Sequence, residues 1–467
     1  MLDNPLAPSW LACPADVNAL QSGVWPMNAS RSETGELTIA GARVGDLAAQ
    51  HGTPAFIVDE ADVRARAARA KAAFDDAMAS IGTSAKVYYA GKAFLCTEVV
   101  RWIDAAGLSV DVASGGELAV AVAGGIDPKR IGVHGNNKSE REIEAAVAVG
   151  VGAIVIDSAI EIERVAAAAR RHGVVQPVRL RINSGVHAST HEYLATAHED
   201  QKFGVPIASA PELVAAIRAE DSLAFLGLHS HIGSQIFDAS GFSEAGRRLM
   251  ELHAALLADG PVPELNLGGG FGIAYTVADD PDDIRDIAQR IAGAVQAAAI
   301  EFGVPVPTIA VEPGRSIVGP STISLYRVGT IKPVTVDAPS GEGTAIRNYV
   351  SVDGGMSDNV RPALYGAAYS ARLANRFSDA APQLSRVVGM HCESGDIVVR
   401  DEYLPADVAP GDLIAVPATG AYGWAMSSNY NWVPRPPVVA VRDGVSRVIV
   451  HGETIEDLLR RDPGVGR

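Results

Sequence analysis

Along the middle of the chain, short β-like apolar runs alternate with longer alanine-rich stretches, which is the pattern of parallel strand–helix units. Eight runs predict strands: residues 86–90, 108–112, 131–134, 153–156, 178–182, 224–229, 264–267 and 308–311. In the intervening stretches, for example 139–149 and 160–172, apolar residues recur at intervals of three and four, which predicts amphipathic helices. Eight strands with eight intervening helices make a (β/α)8 TIM barrel, an α/β fold.

After about Pro320 the pattern changes to brief Val/Ile/Tyr-rich runs at 323–328, 349–352, 397–400, 413–416 and 447–450. Gly, Pro and Asp part them, which predicts a second, C-terminal antiparallel β-barrel or sandwich domain. Residues 36–44 share that character and are expected to join it. The predicted division is an N-terminal segment at 1–50 that partly packs with the β domain, a barrel at 51–318 and the β domain at 319–467. No internal repeat or low-complexity linker interrupts this division.

At 467 residues, the chain is long enough for a barrel plus a second domain. Its net charge of −16 argues against nucleic acid and anionic membranes, both of which call for a concentrated basic face. Cys13, Cys96 and Cys392 are scattered and lack zinc-ligand spacing, so neither a disulfide framework nor a metal site is expected, and a reducing cytoplasm fits best. The first twenty residues hold no Lys or Arg, so the basic start of a secretory signal is missing. Glu144 and Asp157 bound the apolar run 145–156 well short of the ~20 residues that a membrane span needs.

Barrel enzymes build their sites at the C-terminal ends of the strands. In this chain those ends carry, in order, Lys92, Asp111, His134 with Asn136, Asp157, Arg181 with Asn183, His229 with His231, Gly268 to Gly270, and Glu312 with Arg315. Any one of these could simply cap a strand; a full circle of them marks a site. Lysine amines are protonated at neutral pH, so one used as a nucleophile needs desolvation or a cofactor that captures it as an imine. Gly268-Gly269-Gly270-Phe271-Gly272 follows the seventh run, where barrels commonly bind phosphate. It does not match the dinucleotide fingerprint GxGxxG, because Ile273 takes the last glycine position. His229 and His231 share a strand face and leave a metal-dependent reading open, though no third ligand stands at a helpful spacing.

Tyr88-Tyr89-Ala90-Gly91-Lys92-Ala93 resembles the cofactor-lysine segment of the fold-type III pyridoxal phosphate (PLP) enzymes, the alanine racemase and ornithine/diaminopimelate decarboxylase superfamily. His229-Ser230-His231-Ile232-Gly233-Ser234-Gln235, the glycine run and Glu312-Pro313-Gly314-Arg315 resemble further motifs of that superfamily. Cys392-Glu393-Ser394-Gly395-Asp396 is similar to the signature of its diaminopimelate decarboxylases, and the likeness spans about residues 53–437.

The resemblance implies pyridoxal 5'-phosphate bound covalently at Lys92, with His231 stacked on the pyridine ring. Ser234, Gly269, Gly270 and Tyr422 are implied at the phosphate, and Asp111, Pro313, Gly314 and Arg315 elsewhere around the cofactor. Glu312 is implied as the partner of the ring nitrogen. Racemases are known for an Arg there, so Glu312 favours decarboxylation. Arg315, Arg361, Tyr365, Glu393 and Tyr422 are implied to bind substrate, and Cys392 to donate a proton from the neighbouring subunit of a homodimer. The activity implied is decarboxylation of meso-2,6-diaminopimelate to L-lysine and carbon dioxide, with Lys92, His231, Glu312 and Cys392 as catalytic groups.

Two positions depart from the family pattern: His187, where relatives often carry an acid, and Trp432-Val433, where an arginine is common. The rival readings are an ornithine- or arginine-type decarboxylase, a PLP-binding protein without chemistry, and a metal-dependent barrel hydrolase.

Overall fold

The computed structural model describes residues 4–186 and 202–465, so His187 lies outside the described residues. The chain divides into two units. One is built from Arg64–Gly272 with Pro281–Ile317, the other from the chain up to Val63 with Ile273–Asp280 and everything from Val318 onward.

In the first unit eight strands form a parallel ring: β1 (Ala85–Ala90), β2 (Ser109–Val112), β3 (Ile131–Val133), β4 (Ala153–Ile156), β5 (Gln176–Asn183), β6 (Leu223–His229), β7 (Glu264–Asn266) and β8 (Thr308–Val311). Pairing of β8 with β1 closes it. The eight apolar runs became these strands because a parallel barrel is covered on both faces; every residue of β3 and β4 is buried.

Sequence-local signals set the flanking helices. Ser114, Ser139 and Asp283 cap the N-termini of Gly115–Gly124, Glu140–Val149 and Ile284–Phe302 with side-chain oxygens. Left-handed glycines at 125, 150 and 303 end the same helices. The eighth unit departs from expectation, since β8 is followed by a single turn, Arg315–Val318, and the long helix Glu60–Ser80 precedes β1 instead.

In the second unit, one sheet runs in the order Ile397–Pro405, Pro382–Val388, Thr344–Val352, Thr322–Asp337, Ala55–Asp59, Val438–Arg442, Val445–Val450. It is mixed and not wholly antiparallel: Thr344–Val352 runs parallel to Pro382–Val388, and Ala55–Asp59 parallel to Val438–Arg442. Both parallel pairs join strands that no tight hairpin connects, as parallel pairing demands. Because Ala55–Asp59 is a fully buried strand of this sheet, the boundary expected at residue 50 falls after Val63. Residues 36–44 supply Leu37–Ile39 and Ala42–Arg43 of a small sheet with Ala29–Arg31, and Leu37 and Ile39 share a core with Ile57, Ile323 and Val439. Among the described residues, no helix is long and apolar enough to cross a membrane.

Candidate active site

The ends of the barrel strands converge. Lys92, Asp111, His134, Arg181, His229, His231 and Glu312 line one cavity of about 320 Å³. Lys92 stands in the single turn Gly91–Ala93 that follows β1, and the preceding Ala90 N–H is anchored on the Pro313 carbonyl at 3.1 Å. Asn136, Asp157 and Asn183 do not line the cavity; Asp157 instead accepts from the Gly204 N–H at 2.7 Å.

The floor is acidic and histidine-rich. Glu312 Oε1 accepts from Asn266 Nδ2 at 2.8 Å and lies 3.0 Å from His229 Nε2 and 3.5 Å from His134 Nε2. His134 Nε2 is also 3.1 Å from Asp111 Oδ1. Burial and the facing Glu312 push the Asp111 carboxyl well up, whereas the surrounding histidines hold Glu312 well below the usual carboxylate range in spite of its burial. Glu312 is therefore the ionised member of the pair, and Asp111 the one that takes a proton more readily. Burial lowers His134 and His229 to about 4 and His231 to about 3, so all three rings are neutral at pH 7.

Neighbouring backbones explain the glycine run. A Cβ on Gly269 would sit 2.1 Å from the Glu312 carbonyl oxygen, and one on Gly270, at φ +114°, would sit 2.4 Å from that of Gly233. The Gly269 N–H donates to His231 Nδ1 at 3.3 Å, which puts that ring's single proton on Nε2. Arg315 Nη2 donates to Ser234 Oγ at 2.7 Å, tying the turn after β8 to the loop after β6. Gly269, Gly270, Ser234, Pro313, Gly314 and Arg315 do not line the cavity.

Histidine pairing differs from the one considered in the sequence. The residues whose ligand atoms gather within 4.8 Å are His134, His229 and Glu312; His231 is not among them. The reading of a metal-dependent hydrolase built on His229 with His231 thus loses its geometry. A PLP-type cofactor suits the donor set better. There is an amine to meet an aldehyde, an ionised carboxylate for a pyridine nitrogen, and buried polar atoms (both Asp111 oxygens and His134 Nε2) without a hydrogen bond of good geometry.

The remaining expected residues belong to the β unit. Arg361 opens the one-turn helix Arg361–Tyr365; it is buried, whereas Tyr365 is 64% exposed. Arg361 Nη1 donates to the Tyr369 hydroxyl at 2.5 Å, and its Cζ lies 4.6 Å from the Tyr275 ring centroid. Cys392 is exposed, and Glu393 beside it accepts from the Tyr430 hydroxyl. The Asp396 carboxylate fixes this loop by accepting from His391 N–H at 2.8 Å and Met356 N–H at 2.6 Å. Tyr422 sits at φ +61°. Asn266, Tyr275 and Tyr369 were not among the residues singled out from the sequence. Asn266 lay inside the run predicted at 264–267 and ends the strand only in the structure, and nothing in the spacing links the two tyrosines to Arg361.

Residues 60–319 match the family model of the pyridoxal-dependent decarboxylase, pyridoxal binding domain. The chain is 51% identical over 448 residues to a diaminopimelate decarboxylase of Mycobacterium tuberculosis, covering 94% of this chain and 98% of that one. It is 42% identical over 438 residues to that of Bacillus subtilis, covering 92% and 96%. The structure of a diaminopimelate decarboxylase from M. jannaschii in complex with L-lysine is similar with a TM-score of 0.84 and 30% identity, over 93% of this chain and 98% of that one.

Proposed function

The chain belongs to the pyridoxal-dependent decarboxylases, and on that footing we propose that it converts meso-2,6-diaminopimelate to L-lysine and carbon dioxide, as the diaminopimelate decarboxylase of lysine biosynthesis. The observation that carries the chemistry is the floor of the barrel cavity, where Asn266 and His229 hold an ionised Glu312 in the same cavity that Lys92 lines.

Lys92 is the attachment point for pyridoxal phosphate. Glu312 would pair with its ring nitrogen, and His231 would contact its ring. Ser234, Gly269 and Gly270, with Asp111, Pro313, Gly314 and Arg315, would complete its seat in the barrel unit, and Tyr422 is assigned to its phosphate by resemblance alone. What the group supplies when bound is a sink for the electron pair left as the carboxylate departs. The rest is work for the chain's own side chains. The substrate has an amino and a carboxylate group at its far end, so Arg361 and Arg315 meet the carboxylate while Glu393 meets the ammonium, with Tyr365 beside them. The Cys392 thiol or the Lys92 ammonium returns a proton to the carbon.

The enzyme is a homodimer in which Cys392 and Glu393 serve the partner's barrel. In support, Cys392 is exposed, as are the large apolar side chains of Leu364, Tyr365, Met390 and Trp432, which a second copy would cover. Among the described residues no disulfide joins Cys13, Cys96 or Cys392, which suits a reducing cytoplasm.

The test is an absorbance spectrum of the purified protein with and without meso-diaminopimelate, together with product analysis. Wild type is expected to show cofactor absorbance in the visible range and to release carbon dioxide and lysine, whereas Lys92→Ala loses the absorbance and on the order of 10³-fold or more in rate. A site with buried polar partners rejects substrates lacking the matching group by roughly 10⁴-fold, so ornithine and arginine should turn over that much more slowly. Near-equal rates on the three substrates, or full activity in Lys92→Ala, would overturn the assignment.

A further inference from the structure

Arg361 is 7% exposed and, among the described residues, forms no ion pair. A cation buried in this way is unfavourable unless its surroundings compensate. Here the compensation is aromatic. Tyr369 accepts one N–H from Nη1 at 2.5 Å, and the guanidinium lies over the Tyr275 ring at 4.6 Å and within 5.5 Å of the Tyr369 ring. The two rings meet edge-on with centroids 5.1 Å apart. Tyr275 is 5% exposed and Tyr369 1%, and both are packed in a core with Val328, Val350 and Ile414, so neither ring is free to swing aside.

The choice of tyrosine has a chemical consequence. An acidic partner would pair with the guanidinium and repel an arriving carboxylate. A ring face attracts the cation through its quadrupole and takes none of its N–H donors. One phenol oxygen takes a single N–H, and the remaining donors of the fork stay available for bidentate carboxylate binding.

We propose that Tyr275 and Tyr369 are positioning residues that set substrate specificity: they hold Arg361 charged, fixed and open-handed for the carboxylate that the substrate retains away from the reacting carbon. The inference rests on the reading of Arg361 as a substrate-binding group and adds what makes that group selective. Ligands with a distal carboxylate, such as meso-diaminopimelate and L-lysine, gain from the cage. Cadaverine, which is lysine without its carboxylate, does not.

The experiment uses the holoenzyme and three variants: Tyr369→Phe, Tyr275→Leu and the conservative Tyr275→Phe. Tyr369→Phe and Tyr275→Leu are expected to raise KM for meso-diaminopimelate and the inhibition constant of L-lysine about tenfold, the scale of a lost hydrogen bond to a charged group. In the same variants kcat should fall by less than about threefold and the inhibition constant of cadaverine should stay within about twofold of wild type. Tyr275→Phe keeps the ring face and should bind L-lysine more tightly than Tyr275→Leu. If Tyr275→Leu does not fold, Tyr369→Phe, which removes one oxygen, carries the test alone. Equal weakening of lysine and cadaverine, or no change in lysine inhibition, would overturn the proposal. A wild-type enzyme that releases no carbon dioxide from meso-diaminopimelate defeats the functional reading and this inference with it; an active wild type with unresponsive variants defeats only the inference.

Discussion

Burial holds His134 and His229 at a pKa of about 4 and His231 at about 3, against 6.5 for the free ring. Unfolding releases all three to their ordinary value. Between pH 6.5 and about 4 the unfolded chain therefore takes up protons that the folded cavity refuses, so the histidines make folding less favourable as pH falls through that window. Asp111 has the opposite sign, because its folded carboxyl keeps a proton to a higher pH than the unfolded one, while the loss associated with Glu312 comes only below 4.5. One ring can be isolated by comparison. At pH 5 each histidine is expected to cost on the order of 1–2 kcal/mol relative to pH 7. Urea unfolding of cofactor-free protein should thus show a loss from pH 7 to 5 that is smaller by about that amount in His229→Gln, which has no ring to protonate. Equal losses in the two proteins would show that His229 is not held neutral by the fold. At this scale, legibility followed strand position. Lys92, Asp111, His229 and Glu312 could be named because each ends a strand, and a barrel brings strand ends together. Tyr275 and Tyr369 could not, since their relation to Arg361 depends on how the β unit packs.

Among the elements, the loop after β3 is pinned to β4 by a buried lysine. Lys138 Nζ donates to the Gly135 carbonyl at 2.6 Å, the Val155 carbonyl at 2.7 Å and Glu161 Oε2 at 2.9 Å, and Glu161 Oε2 also accepts from the Asp157 N–H at 2.8 Å. Lys138 and Glu161 are 4% and 2% exposed, and Gly135 lines the cavity, so the pin steadies part of the active-site wall. Removing one member leaves the other buried and unpaired, so Lys138→Met is expected to cost about 3–5 kcal/mol in chemical denaturation. The double variant Lys138→Met, Glu161→Leu should recover much of that loss, because no charge is left without a partner. A single variant within 1 kcal/mol of wild type would show that the pair contributes little. The strands around it were visible in advance, since a fully apolar run is a local signal. Ala55–Asp59 was not recognised, because a buried strand next to a helix looks the same whichever sheet it joins. The full length of Thr322–Asp337 was missed as well: only its first part is buried, and its later residues alternate toward solvent.

Of the groups proposed for the reaction, Lys92 and Glu312 belong to the barrel unit and Arg361, Cys392 and Glu393 to the β unit. The count of eight strands was enough to name the fold, since it is a property of the chain as a sum. Assembly is a different kind of property. It depends on which side chains face outward together, and no pattern along one chain reports that. The exposed Cys392 makes the question specific, because a proton donor that serves the partner's barrel gives each site one group from each chain. Lys92→Ala and Cys392→Ala homodimers should both be poorly active, each for want of one group in both sites. Mixing them after dissociation lets subunits recombine, and a mixed dimer has one site with both groups intact and one with neither. Random pairing makes half of the dimers mixed, so activity should recover to about a quarter of wild type per dimer. Were Cys392 to act within its own chain, every site in the mixture would lack one group and no recovery would follow.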